Sequence, residues 1–390
     1  MLIPKSTRII VKKKVTDNMV EKIKKNIFAL RDKIPPYSFY RYGINLYRRM
    51  KAKGKARLYK EEYFLKWYPF SKRKYYIIRM EYPGYVFFSA ARTYIYAAEY
   101  ARSKGMYPIM DLEWRIDFER GALKGKNLWD DIFRQKKIEE IIKEKATIVV
   151  SKIDAYDSLY LPETCIDINQ DPMDYRIHAT EENWREYYKN IHKYVRKYWR
   201  FSHQILSETN KKFTDILKRE ENVLGVSLRE NFSQEYYVLI KNRDARKVYE
   251  RHPLGPNVGD ILDIVDQCLK RWGCSKIFVA TVFDDSIKRF EERFPGRIIY
   301  CKRERMTITE NIDKVNSRKK FIENSMGEDQ ELRDRAYRRG REYVQETLLL
   351  SKCTYLIGAK SGQTIAALSL NGGRYKDIKV LEDKNHVDSY

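Results

Sequence analysis

Residues 343–370 read YVQETLLLSKCTYLIGAKSGQTIAALSL. Tyr343–Leu350 has no helix breaker and ends in three leucines. Thr354–Gly358 is a short apolar run of the kind that forms a buried strand. Ser361-Gly362 then opens a second helical run, Ser361–Leu370, which Asn371-Gly372 closes. A strand that runs through a Gly/Ser turn into a helix is the repeating unit of a doubly wound parallel sheet. The free N–H groups at such a helix start, together with the helix dipole, make an anion site. The same turn is equally well read as a capped βα connection that binds nothing. No G-x-G-x-x-G occurs, so this is not a dinucleotide fingerprint.

Working outward, the alternation continues. Val223–Leu228 is a buried-type strand. Asn257 caps a helix whose apolar face is Ile261, Ile264, Val265, Cys268, Leu269 and Trp272, with Gly273 as its stop. Lys276–Thr281 and Arg297–Tyr300 read as strands, Asp285–Phe294 as a helix, and Ile378–Leu381 as the last strand. Met306–Glu331 is charged and reads as an irregular loop or lid. Further upstream, Tyr75–Met80, the helix Phe87–Ser103, the stop Gly105 and the strand Met106–Leu112 make one β-α-β crossover. Ala146–Ser151 is a further strand, and Glu181–Lys218 is helical with a hinge near Phe201-Ser202. Met19–Leu30 has helical spacing and stops at Pro35-Pro36. The expected fold is α/β, with two Rossmann-like doubly wound domains facing a cleft and a basic N-terminal helical extension. The first domain spans 1–212 and the second 213–390.

Composition narrows the class. The chain has 390 residues, with 78 Lys+Arg against 54 Asp+Glu for a net charge of +24, and is 43% hydrophobic and 14% aromatic. That apolar content excludes a disordered chain. Charges such as Arg92 and Lys352 interrupt every long apolar stretch, which excludes a multispanning membrane protein. Lys5, Arg8 and Lys12–Lys14 leave no room for the apolar core of a secretory leader. The five cysteines (165, 268, 274, 301 and 353) are scattered without C-x-x-C, which argues against disulfides and structural zinc. The expectation is a reduced, cytoplasmic protein. The charge itself has three readings: nucleic-acid binding, an anionic membrane or polyanionic substrate, or a solvated basic surface.

Ligands of doubly wound sheets bind beyond the carboxyl ends of the strands. Arg229 follows one such end, where its guanidinium can fork onto phosphate oxygens or simply face solvent. Ser361, Gly362, Gln363 and Thr364 follow another. Glu346 lies among leucines and is either a partnered buried carboxylate or part of a wet helix face. His252, in RHPLGP, either contacts a ligand or fills its loop. Asp260, Asp263 and Asp266 recur every three residues and read as the wet side of an amphipathic helix. No D-x-D motif for a metal-held sugar nucleotide is present.

Taken in order, G-V-x-x-R, H-P-x-x-P, K-I-F-V-A-T and E-x-L-L-L-S-K-C-x-Y-L-I-G-x-x-S-G-x-T-I-A-A-L resemble fucosyltransferases of GT-B fold, namely the α1,6-, nodulation and protein O-fucosyltransferases and their bacterial surface-polysaccharide relatives. The resemblance covers about 225–382 well and 75–111 loosely. It implies a donor, GDP-fucose or another nucleotide sugar, bound by the second domain without metal or cofactor. Arg229 then holds the β-phosphate, Ser361, Gly362 and Gln363 touch the diphosphate, Glu346 contacts the guanine, and Thr281 lies near the nucleotide. Ser227, His252, Asp284 and Thr364 complete the donor set. The chain departs from the family at Ser227, where histidine is usual, at Asn231-Phe232, and at Asp284-Asp285, which come late behind Val282-Phe283. Inverting transfer needs a base for the acceptor hydroxyl, and Glu230 and Glu235 are candidates because they follow Arg229. The implied acceptor is a glycan or lipid-linked glycan, with an anionic membrane surface as a further partner. The competing readings are another sugar nucleotide or a basic nucleic-acid-binding protein, and the chain carries no RNA- or DNA-binding signature.

Overall fold

The computed structural model describes residues 63–68, 70–80, 87–112, 127–152, 172, 179–230, 233–240, 255–316 and 330–381. The expected helix at Met19–Leu30, His252 and the second half of the expected lid lie outside these residues.

The first unit is a four-stranded sheet of β1 (Tyr63–Lys66), β2 (Lys74–Met80), β3 (Tyr107–Leu112) and β4 (Thr147–Lys152) in the order β1-β4-β2-β3. β2 pairs in parallel with β3 (Ile77 opposite Ile109) and with β4 (Ile77 opposite Val150), while β1 runs antiparallel along the edge. Alternation along β2 sorts its side chains. Ile77 joins Ile109, Ile148 and Ile141 on one face, and Tyr76, Ile78 and Met80 join the main core on the other. Helix α1 (Phe87–Ser103) covers the main-core face; its buried alanines 90, 91, 97 and 98 let it approach closely, and Gly105 turns the chain at φ 68°. Short helices α2 (Leu128–Ile132) and α3 (Ile138–Lys143) complete this unit. The expected strands and α1 are all present; β1, α2 and α3 are additions.

Helices α4 (Glu181–Tyr198) and α5 (His203–Ile216) meet at the expected hinge, where Ser202 caps α5; Thr180 caps the opposite end of α4 with a reciprocal bond to Asn183. The second sheet then comprises β5 (Val223–Ser227), β6 (Lys276–Ala280), β7 (Ile298–Ile299), β8 (Tyr355–Ala359) and β9 (Asp377–Leu381), all parallel, in the order β7-β6-β5-β8-β9. Both faces are covered. Val226, Ile277 and Val279 pack with α7 (Val258–Trp272) and α8 (Asp284–Arg293). Phe278, Leu356 and Ile378 pack with α10 (Gln330–Leu350) and α11 (Gly362–Asn371). Asn257 and Gly273 bound α7 as the sequence requires, with Gly273 left-handed at φ 60°. Asp260 and Asp263 are exposed and Asp266 pairs with Lys270, so these carboxylates form the wet side of α7.

Three findings depart from expectation. The segment expected to be an irregular loop from Met306 contains helix α9 (Ile308–Asn316), which Thr307 and Glu310 cap reciprocally. Helix α10 begins thirteen residues before Tyr343. The expected boundary at 212/213 falls inside α5, and α4 and α5 pack on the second unit, α4 against α11 and α5 against α10. At Gly372 (φ 65°) a Cβ would sit 2.6 Å from the His192 ring of α4, so both the conformation and the close approach require glycine. One core joins the two units: Phe88 of α1 packs on Trp199 at 5.6 Å and on Tyr343 of α10 at 5.5 Å between ring centroids. Each such aromatic pair contributes roughly 0.5–1.5 kcal/mol beyond its area burial.

Candidate functional site

In the second sheet β5 lies between β6 and β8, so the chain winds one way from β5 to β7 and the other way from β8 to β9. The crevice of such a sheet opens at this switch point, beyond the strand ends. There the structure gathers most of the expected site residues.

Ser227 ends β5 and is buried; its hydroxyl donates to Gln363 Oε1 at 3.2 Å across the switch point. Gln363 in turn donates from Nε2 to Thr347 Oγ1 of α10 at 3.3 Å. Two residues beyond β5, Arg229 Nη1 donates to the Lys360 carbonyl at 2.8 Å. Lys360 belongs to the turn from β8 into α11, so this bond ties the guanidinium to the start of that helix. Ser361 is the N-cap of α11: its Oγ accepts from Thr364 N at 3.2 Å, and the hydroxyls of Ser361 and Thr364 lie 3.1 Å apart. Gly362 is the first helical residue. Gly358, at the end of β8, has no room for a side chain, since a Cβ there would lie 2.5 Å from Thr364 Oγ1.

Glu230 follows Arg229 and is buried, and the Thr281 hydroxyl donates to its Oε1. Thr281 Oγ1 also accepts from Phe283 N at 3.1 Å, which fixes the turn from β6 into α8. Asp284 is the first residue of α8, and its N–H bonds the Met306 carbonyl. Glu235, on α6 (Gln234–Leu239), stands outside this network and forms an exposed pair with Arg289 at 3.2 Å.

Glu346 is not on a wet helix face. Its side chain is fully buried, and Arg303 grips it bidentately, Nε to Oε1 and Nη2 to Oε2, both at 2.9 Å. Arg305 adds a third bond from Nη2 at 3.2 Å. The same two arginines donate to the Thr281 carbonyl, Arg303 from Nη2 at 2.8 Å and Arg305 from Nε at 3.2 Å, and Arg305 also reaches the Cys301 carbonyl at 2.8 Å. Burial pulls the Arg305 guanidinium below the usual arginine range, and Glu346 opposes that pull. Burial, reinforced by Glu346, pushes the Cys301 thiol up to about 12, so it remains a thiol. Sequence reasoning missed both arginines. Their spacing of two in the extended stretch after β7 was the available signal, since alternate residues there face the same way.

The arrangement offers a pre-tied guanidinium beside a capped helix N-terminus, a pairing that fits an anion with several oxygens. Among the described residues, no group of three or more His, Cys, Asp or Glu side chains could hold a metal. No helix among them is long and apolar enough to cross a membrane.

The sequence matches no known family profile and no curated protein. The fold is similar to those of solved fucosyltransferases. They include NodZ α-1,6-fucosyltransferase soaked with GDP-fucose (11% identity, 76% of this chain and 92% of that chain, TM-score 0.39). POFUT1 in complex with GDP-fucose is similar over 81% of this chain and 100% of that chain, at 8% identity and TM-score 0.39. A mutant of Arabidopsis thaliana FUT1 in complex with GDP is similar over 95% of this chain and 80% of that chain, at 8% identity and TM-score 0.40.

Proposed function

We propose that the protein is an inverting glycosyltransferase that transfers fucose from GDP-fucose to a glycan. The observation that carries this reading is the bond from Arg229 to the Lys360 carbonyl, which holds a guanidinium against the N-terminus of α11 at the switch point. As the acceptor hydroxyl attacks the anomeric carbon, negative charge builds on the departing diphosphate. Arg229 and the N–H groups of Gly362 and Gln363 at the start of α11 stabilise that charge without a metal. Ser227 and Gln363 hold the turn in register with β5, and Thr281 and Asp284 bound the nucleotide side of the crevice. Glu230 is the better placed of the two candidate bases, because it adjoins Arg229 while Glu235 is engaged with Arg289. The acceptor is a glycan or lipid-linked glycan, met at an anionic membrane surface on the cytoplasmic side.

Thermal unfolding with nucleotides tests the donor site. A ligand at a hundred times its dissociation constant stabilises by about 2.7 kcal/mol. For a unit of this size that corresponds to a shift of roughly 5–10 °C. GDP raises the melting temperature and Arg229→Ala abolishes the shift. If neither GDP nor another nucleoside diphosphate shifts the wild type, the proposal fails. If UDP or dTDP shifts it and GDP does not, the donor is a different sugar nucleotide.

A further inference from the structure

The net charge is not spread evenly. Residues 1–74 hold 22 Lys+Arg against 5 Asp+Glu, so they carry +17 of the chain's +24. The described end of this basic segment is β1 and the turn that follows it. Within residues 63–74 (YFLKWYPFSKRK) stand five aromatics, one leucine, four basic residues and no acid.

These apolar side chains are not part of the core. Phe64 is 63% exposed, Trp67 70% and Phe70 99%, and Leu65, Tyr68 and Ile142 of α3 are exposed beside them. Among the described residues β1 pairs only with β4 and so forms the sheet edge. Edge strands in soluble proteins are blunted or covered, and a contiguous apolar edge marks an interaction surface. The turn that presents Phe70 is firmly built. Tyr68 exchanges two hydrogen bonds with the Thr147 hydroxyl, N–H to Oγ1 at 3.1 Å and Oγ1 to the Tyr68 carbonyl at 2.9 Å. Ser71 N bonds the Tyr68 carbonyl at 3.0 Å, and Ser71 Oγ bonds the Lys145 carbonyl at 2.9 Å. A fully exposed phenylalanine on a pinned turn is held out from the surface at little further entropic cost.

The charge around it is one-sided. Lys72, Arg73, Lys74, Lys143 and Lys145 are exposed at this edge. Glu144 is neutralised by Arg73 at 3.1 Å and by Lys136, and it accepts a hydrogen bond from the Tyr75 hydroxyl. Among the described residues, Glu139 and Glu140 of α3 are the exposed acids of this edge and are outnumbered.

We infer that this edge docks on an anionic lipid surface, with Phe64, Trp67 and Phe70 entering the headgroup region and the flanking lysines and Arg73 meeting lipid phosphates. Trp and Tyr with a lysine fringe suit the water–hydrocarbon boundary, and the basic residues supply the attraction to anionic lipid. Single-stranded nucleic acid also favours basic, aromatic surfaces. The aliphatic Leu65 and Ile142 have no stacking role, and they fit acyl chains instead. The inference deepens the membrane part of the proposed function and rests on it for the partner's class. It uses a different sheet from the nucleotide site, so lipid binding and nucleotide binding fail separately.

Vesicle co-sedimentation of the full chain tests it. Vesicles of phosphatidylcholine with about 30% phosphatidylglycerol bind the protein at roughly 0.1 M salt, and pure phosphatidylcholine binds it at least tenfold more weakly. Trp67→Ala with Phe70→Ala lowers the affinity at least about tenfold. Lys72→Gln with Lys74→Gln lowers it by a similar factor and reduces its salt dependence. Both variants keep the wild-type melting temperature and GDP shift, because the altered side chains are exposed. Equal binding of neutral and anionic vesicles overturns the inference, as does unchanged vesicle binding by the aromatic variant. Failure to bind vesicles, accompanied by aromatic-dependent binding of single-stranded RNA or by a dimer that the aromatic variant dissolves, also overturns it and assigns the edge to that other partner.

Discussion

Replacing Glu346 by glutamine separates two roles for one carboxylate, that of a base-reading ligand group and that of an internal counter-ion. The side chains of Glu346, Arg303 and Arg305 are 0, 3 and 2% exposed, so all three charges are out of water. Three N–H bonds reach the carboxylate. Glutamine leaves its carbonyl oxygen to accept two of them but turns an NH2 group toward the third donor, Arg303 Nη2 or its equivalent. It also leaves two buried guanidinium groups with no anion between them. Removing one partner of a buried ion pair costs about 3–5 kcal/mol. For a unit of roughly 150–250 residues each kcal/mol moves the melting temperature by about 2–4 °C, so Glu346→Gln should lower it by roughly 6–20 °C. Scanning calorimetry of the nucleotide-free protein reads this directly. Replacing the whole cluster (Glu346→Leu, Arg303→Met, Arg305→Met) should recover part of the loss, because no charge is then stranded. Recovery stays incomplete, since the Thr281 and Cys301 carbonyls lose their donors. A Glu346→Gln protein that melts within about 2 °C of wild type and yet loses its preference for GDP over other nucleotides would refute the counter-ion reasoning and make Glu346 a base-contacting residue.

Two further perturbations test the fold around the site and the first unit. Gly358→Ala drives a Cβ to 2.5 Å from the buried Thr364 side chain and should cost about 1–3 kcal/mol. Thr364→Ala in the same chain should relieve much of that cost, and strict additivity in a thermal double-mutant cycle would show that the two residues do not touch. Asp130, whose Oδ1 accepts from Gln135 Nε2 at 2.8 Å, has its carboxyl pushed up to about 6, chiefly by burial. The folded-state pKa lies above the unfolded one, so the native state holds this proton more tightly. The group therefore costs stability above pH about 6, and the cost disappears as pH falls below the ordinary carboxylate range. Asp130→Asn should raise the melting temperature at pH about 7.5 and leave it unchanged near pH about 4, and a gain of equal size at both values would contradict the assignment.

The elements legible in the sequence are those whose signal is local. Helix α1 begins and ends where its small residues and Gly105 put it, and α7 runs between the Asn257 cap and the left-handed Gly273. The inner strands β5, β6 and β8 of the second sheet are largely continuous apolar runs because both faces are covered. The elements that escaped derive their stability from elsewhere. The first half of α10, QELRDRAYRRGRE, has no apolar stripe and contains Gly340, so no period marks it, and the helix is continuous with the buried half that follows. β1 reads as part of a basic arm because its aromatics face outward and its pairing partner lies more than eighty residues away. At the site, Arg229 and Ser361–Thr364 follow from their positions after strands. The grip on Glu346 does not, because its arginines stand 41 and 43 residues away and only the folded sheet brings them to α10.

The way Arg229 is held bears on how the proposed reaction would avoid a metal. A free arginine at a strand end would be a long, mobile cation, and much of its attraction for a diphosphate would be spent on ordering it. Here one N–H is committed to the Lys360 carbonyl, and that carbonyl lies one residue before the N-cap of α11. Guanidinium and helix start therefore move as one body. The Ser361 cap fixes the Thr364 N–H, and the Gln363 side chain, held by Ser227 and Thr347, locks the turn to β5 and α10. Donors fixed before the charge develops need no reorganisation in the transition state, which is where such groups contribute most. In the proposed mechanism Ser227 and Gln363 would act by positioning. Removing either should weaken catalysis by letting the turn drift, with the loss falling on turnover more than on nucleotide affinity, whereas loss of Arg229 should abolish both.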